Sequence, residues 1–153
     1  MSAVFLSIGS NIHPETHIPK CIQYLKKEFA VKKISSVYET EPVGPAGSEN
    51  FWNMAVEIET ALSHDTLTGI IRKIEMSLER RRSPKNKFEP RTIDIDILPQ
   101  KGFQNLAFIV VPLAEIAPQT RDPETQKTFA ELAQAIGKDA PKLYGIKKIE
   151  VCL

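Results

Sequence analysis

Two aspartates stand two residues apart inside an apolar run, Thr92-Ile93-Asp94-Ile95-Asp96-Ile97-Leu98, directly after Pro90-Arg91. In a strand, side chains alternate between faces, so Ile93, Ile95 and Ile97 point into a core while Asp94 and Asp96 share the opposite side, their Cα atoms about 6.5–7 Å apart. Parallel carboxylates repel, and Asp is disfavoured in strands, so such a pair needs compensation. Water on an amphipathic edge strand is one solution. A hard divalent cation shared with substrate phosphates is the other, and Mg²⁺ favours that arrangement over an all-protein cage. Arg80, Arg82 and Arg91 flank the acidic strand, and guanidinium groups match phosphate oxygens in a bidentate way. Cations at a helix C-terminus complement its dipole, which accounts for Arg80 to Arg82 equally well but not for Arg91. Acids and arginines converging on one strand point to phosphoryl-type transfer, in which a protein chiefly positions groups and neutralises charge.

The elements that must position these residues follow from periodicity. Ala3 to Ile8 reads as a first strand, closed by a Gly9-Ser10-Asn11 turn. Ile18, Cys21, Ile22, Leu25 and Phe29 recur at helical spacing, with Lys20, Lys26, Lys27 and Glu28 on the wet side. Val31 to Thr40 predicts a second strand, residues 41–48 a Pro- and Gly-bearing loop, and Phe51 to Thr60 a third strand. Ser63 suits the N-cap of a second helix with Leu67, Ile70, Ile71, Ile74 and Leu78 inward. A basic coil, Arg80 to Glu89, then leads into the Asp-bearing strand. The order βαββαβ predicts an α+β, ferredoxin-like fold: an antiparallel sheet with helices on one face, the other free to hold a ligand. Phe108 to Val111 predicts a further strand, and Thr128 to Ile136 a short C-terminal helix stopped by Gly137.

At 153 residues, 42% hydrophobic and 25% charged, the chain fits a single domain, 1–153, with a core of its own. A net charge of +1 excludes bulk electrostatic binding to nucleic acid or acidic membranes, so any anion site is local. The N-terminal apolar run is too short for a signal core or membrane span and has no basic residues before it, which points to the cytoplasm. Cys21 and Cys152 are far apart and read as reduced thiols, while His13, His17 and His64 make no ligand pattern.

Taken in order, Gly9-Ser10-Asn11, Tyr38 to Pro45, Phe51-Trp52-Asn53, Ile74-Glu75 with Arg80 and Arg82, Pro90 to Ile97, and Pro112-Leu113-Ala114-Glu115-Ile116-Ala117-Pro118 resemble the 6-hydroxymethyl-7,8-dihydropterin pyrophosphokinase family of folate biosynthesis. The resemblance implies transfer of pyrophosphate from ATP to the pterin's hydroxymethyl oxygen, releasing AMP, with two Mg²⁺ ions held by Asp94 and Asp96. It implies that Arg80, Arg82 and Arg91 serve the transferred phosphates. The pterin would lie against Thr40, Glu41, Pro42 and Val43, between Phe51 and Phe108, hydrogen-bonded by Asn53 and Glu75. Core burial explains Phe51 and Phe108 as readily, and an edge position explains Asn53. Glu75 is more telling, since a carboxylate beside the second helix's apolar face needs a partner. The expected partners are the pterin and ATP alone, with no nucleic acid or membrane, in a monomer or weak dimer.

The chain departs from the family's pattern in two places. Phe88-Glu89 stands where the family has Trp-Gly, and the segment from Pro99 to Ala107 is short, lacks His and Arg, and has Lys101 as its one cation. Weakened nucleotide contacts are the expected consequence. Two other readings stay open: a diverged paralogue that acts on a related alcohol or binds pterin or nucleotide without catalysis, and a ferredoxin-like module for single-stranded RNA. Asp94 and Asp96 on the open face, and the lack of an RNP-like aromatic motif, weigh against the RNA reading.

Overall fold

The computed structural model describes residues 1–40, 50–78, 93–137 and 147–149. The elements run β1 (Ser2–Ser10), α1 (Pro14–Glu28), β2 (Ala30–Ile34), β3 (Val37–Thr40), β4 (Phe51–Thr60), α2 (His64–Ser77), β5 (Asp94–Ile97), a 3₁₀ turn (Phe103–Asn105), α3 (Ala107–Ile116), α4 (Phe129–Gly137) and β6 (Lys147–Ile149). The sheet order is β5-β1-β4-β3-β6, with β2 also paired to β4 and every neighbour antiparallel. The α+β, ferredoxin-like class is therefore the observed one.

Its first core lies where the alternation put it. Leu6 and Ile8 of β1, Met54, Val56 and Ile58 of β4, and Ile93 and Ile95 are buried against α1 and α2. All five residues of the predicted α1 stripe are buried, as are Leu67, Ile71, Ile74 and Leu78 of the second, and Ile70 packs on their edge. Ser63 caps α2, its hydroxyl accepting the Thr66 N–H at 3.2 Å. Cys21 is a free, buried thiol; Cys152 lies outside the described residues.

Three local expectations change. The single strand from Val31 to Thr40 is two strands along the same side of β4, separated by Ser35-Ser36. Ser35 spans the break, donating its N–H to Ala55 O and accepting the Ala55 N–H on its hydroxyl. Gly9 and Ser10 are not a turn but the end of β1, paired with Asn53 and Trp52.

The third change is larger. Phe108 to Val111 is not a strand; it lies in α3. β-branched residues gave the stretch a strand-like look, but it is buried on several sides, and tertiary packing outweighs that weak preference. Ile109, Val110, Leu113 and Ile116 form a second core with Ala55, Leu98, Phe103, Phe129 and Leu132. Phe129 of α4 meets Phe5 and Phe103 edge to face, at 5.5 and 6.3 Å between centroids. The C-terminal helices thus cover the end of the second sheet face that carries Phe5 and Ala55. Glu115 ties α3 to β3 by accepting from the Tyr38 hydroxyl and from the Ser36 N–H and hydroxyl. Among the described residues, no helix is long and apolar enough to cross a membrane.

Candidate active site

Strand register brings the chemistry together on that second face. Gly9 pairs with Asp94 on one side and Asn53 on the other, and Asn53 pairs in turn with Tyr38. Directly opposed residues share a face, so Asp94, Gly9, Asn53 and Tyr38 form one row across four strands. Asp96 lies one step along, opposite Ser7. Both aspartates are half-buried, and Ile95 between them is turned into the core. Their expected common side is therefore observed.

Asn53 is buried, and its Nδ2 donates to Thr40 Oγ1 at 2.8 Å, also buried. That bond fixes the amide's orientation over Gly9. A Cβ at Gly9 would stand 3.1 Å from Asn53 Oδ1, so the missing side chain is what admits the amide. Phe51 and Phe108 are half-buried. Phe51 begins β4 on the Asn53 side, whereas Phe108 stands in the first turn of α3, packed on the second core.

Glu75 stands on the last turn of α2. Its buried carboxylate accepts the Ile95 N–H at 2.9 Å, so it serves β5 from α2, whereas Asn53 lies two strands away across β1. Its charge, after burial itself, pushes the Cys21 thiol's pKa upward. Sequence periodicity marked Glu75 as a carboxylate needing a partner, but that the partner is a backbone amide required the fold. Arg80, Arg82, Arg91, Glu41, Pro42 and Val43 lie outside the described residues.

The donor set tests for a metal. Among the described residues, no group of three or more His, Cys, Asp and Glu is placed to hold an ion. Two half-buried carboxylates opposite Gly9 and Ser7 suit a hard cation that completes its shell with phosphate and water. They do not suit a closed zinc-type site.

A family model described as 7,8-dihydro-6-hydroxymethylpterin-pyrophosphokinase matches residues 5–118. The chain is 36% identical over 147 residues to the 2-amino-4-hydroxy-6-hydroxymethyldihydropteridine pyrophosphokinase of Bacillus subtilis (strain 168), covering 85% of each protein. It is 32% identical over 146 residues to the enzyme of that name from Aquifex aeolicus (strain VF5), covering 86% of this chain and 90% of that one. The fold resembles wild-type Plasmodium falciparum HPPK-DHPS with STZ-DHP, at a TM-score of 0.75 and 12% identity, covering 97% of this chain and 47% of that one. The chain thus spans about half the length of that solved protein.

Proposed function

The chain belongs to the 7,8-dihydro-6-hydroxymethylpterin-pyrophosphokinase family, diphosphotransferases that move pyrophosphate from ATP to hydroxymethyldihydropterin in folate biosynthesis, and from that premise we propose how its residues carry the reaction. The hydroxymethyl oxygen bonds to the β-phosphorus as the bond from that phosphorus to the α–β bridging oxygen breaks; AMP leaves with that oxygen, and the hydroxyl proton passes to solvent. Little covalent work falls to the protein, so its task is alignment and charge neutralisation. Asp94 and Asp96 would hold two Mg²⁺ ions, which when bound offset the negative charge of the triphosphate. Arg80, Arg82 and Arg91 clamp the phosphates. Asn53, fixed by Thr40, orients the pterin edge, Phe51 and Phe108 flank its ring, and Glu41, Pro42 and Val43 border it through their backbone. Glu75, whose Oε2 accepts the Ile95 N–H, is assigned to the support of β5 rather than to the pterin. The protein acts as a monomer or weak dimer on small-molecule substrates.

The row Asp94–Gly9–Asn53 carries this reading, since it sets acids suited to a phosphate-bound cation beside an oriented amide on one sheet face. Incubation with 6-hydroxymethyl-7,8-dihydropterin and Mg-ATP should yield AMP and the pterin diphosphate. ADP as the nucleotide product would refute the transfer.

One observation favours a second reading, binding without transfer. The link from β5 to α3 is short and anchored by buried Leu98 and Phe103, which leaves exposed Lys101 as its cation. Separate titrations decide between them: pterin binding with negligible Mg-ATP affinity supports the second reading, and tight binding of both supports the first.

A further inference from the structure

We propose that Glu75 is a positioning residue for the two aspartates: its carboxylate anchors the outer edge of β5 through the Ile95 N–H and so sets how Asp94 and Asp96 are presented to a divalent cation. This rests on the metal-dependent reading above.

β5 is four residues long and ends the sheet order, so among the described residues one of its sides has no neighbouring strand. The Leu98 N–H donates to Phe5 O at 2.9 Å, which turns the amides of even-numbered residues in this stretch toward β1 and those of Ile95 and Ile97 outward. An outward amide on an edge strand ordinarily meets water. Ile95 is only 5% exposed, and its amide instead meets Glu75 Oε2 at 2.9 Å.

That contact comes from a rigid support. Glu75 is 2% exposed in the last turn of α2, a helix held to the sheet by Leu67, Ile71 and Ile74. Burying a carboxylate is costly, and its charge-assisted bond is shorter and stronger than one to a neutral acceptor. The bond falls on the one residue between the two aspartates. Any slide or twist of Ile95 would change the separation and aim of both carboxylates, because their Cα atoms flank it directly. The first core thus reaches the opposite face through the Ile95 backbone amide.

The test uses the full chain with Mn²⁺ and α,β-methylene-ATP, whose bridging carbon blocks the transfer, and reads Mn²⁺ affinity by electron paramagnetic resonance. Glu75→Leu, which removes the acceptor, should weaken Mn²⁺ binding about tenfold or more, the scale of one charge-assisted hydrogen bond. Glu75→Gln keeps an acceptor oxygen and should restore most of the affinity. In the unaltered protein, the Ile95 amide should exchange with deuterium as slowly as the β1–β4 ladder, a readout that stands even if Glu75→Leu does not fold. Unchanged Mn²⁺ affinity in Glu75→Leu, equal damage from Gln and Leu, or fast exchange at Ile95 would overturn the proposal. Asp94→Asn separates the two levels: should it bind Mn²⁺ like the unaltered protein, the metal reading itself fails, whereas loss there with Glu75→Leu unaffected overturns only the role of Glu75.

Discussion

Adding one methyl group at Gly9 tests the crowded centre of the site. The new Cβ would stand 3.1 Å from Asn53 Oδ1, a few tenths of an ångström inside ordinary contact, and Asn53 is held by its 2.8 Å bond to Thr40 within a buried environment. The amide cannot retreat without stretching that bond. Crowding of this kind costs about 1–3 kcal/mol, against which the stiffer unfolded chain of Gly→Ala returns about 0.4–1 kcal/mol. A net loss of about 1–2 kcal/mol is expected in urea unfolding. The displaced amide should also weaken one hydrogen bond to the pterin, about 0.5–1.5 kcal/mol, or about 2- to 10-fold in affinity by fluorescence titration. Gly69→Ala supplies the control. Gly69 is exposed within α2, and a Cβ there meets nothing within 4 Å, so this change should stabilise by about 0.5–1 kcal/mol and leave pterin binding alone. If Gly9→Ala stabilised the protein as Gly69→Ala does, with pterin affinity intact, the account of Asn53 as an amide seated over Gly9 would be wrong.

Asp94→Asn and Asp96→Asn should each abolish AMP formation while far-ultraviolet circular dichroism keeps its shape; full turnover in both would remove their metal role. Ser63→Ala deletes the hydroxyl that accepts from Thr66 N and should cost about 1 kcal/mol in urea unfolding. Burial works to raise the pKa of Glu115, but the Tyr38 hydroxyl, the Ser36 N–H and hydroxyl, and Lys148 outweigh it and hold the group below its ordinary 4.5. Because the folded-state pKa is the depressed one, its contribution to stability is present above pH 4.5 and lost as pH falls below that value. Glu115→Gln should therefore be less stable than the unaltered protein at pH 7, with the gap narrowing below pH 4.5; a gap independent of pH would show that the charge is immaterial.

Much was determined by local pattern. The alternation Ile93, Asp94, Ile95, Asp96, Ile97 settled which side each residue takes, because the two-residue period of a strand is a property of its backbone. The inward faces of α1 and α2 followed from their spacing for the same reason, and the Ser63 cap is a bond between residues three apart. Tertiary structure decided what no local pattern contains. Ala107 to Ile116 is helix because the sheet, Phe103 and α4 surround it, and an apolar run buried on several sides has no period to read. The strand β2–β3 breaks where Ser35 exchanges hydrogen bonds with Ala55, 20 residues on. Glu75 likewise meets the Ile95 amide across 20 residues, and Asn53 comes to rest over Gly9 only once β4 pairs with β1. Residue types and spacing therefore pointed to the aspartates and the arginines, and the family resemblance to the asparagine, while the bonds that aim Asn53 and β5 arise between distant segments and exist only in the folded chain.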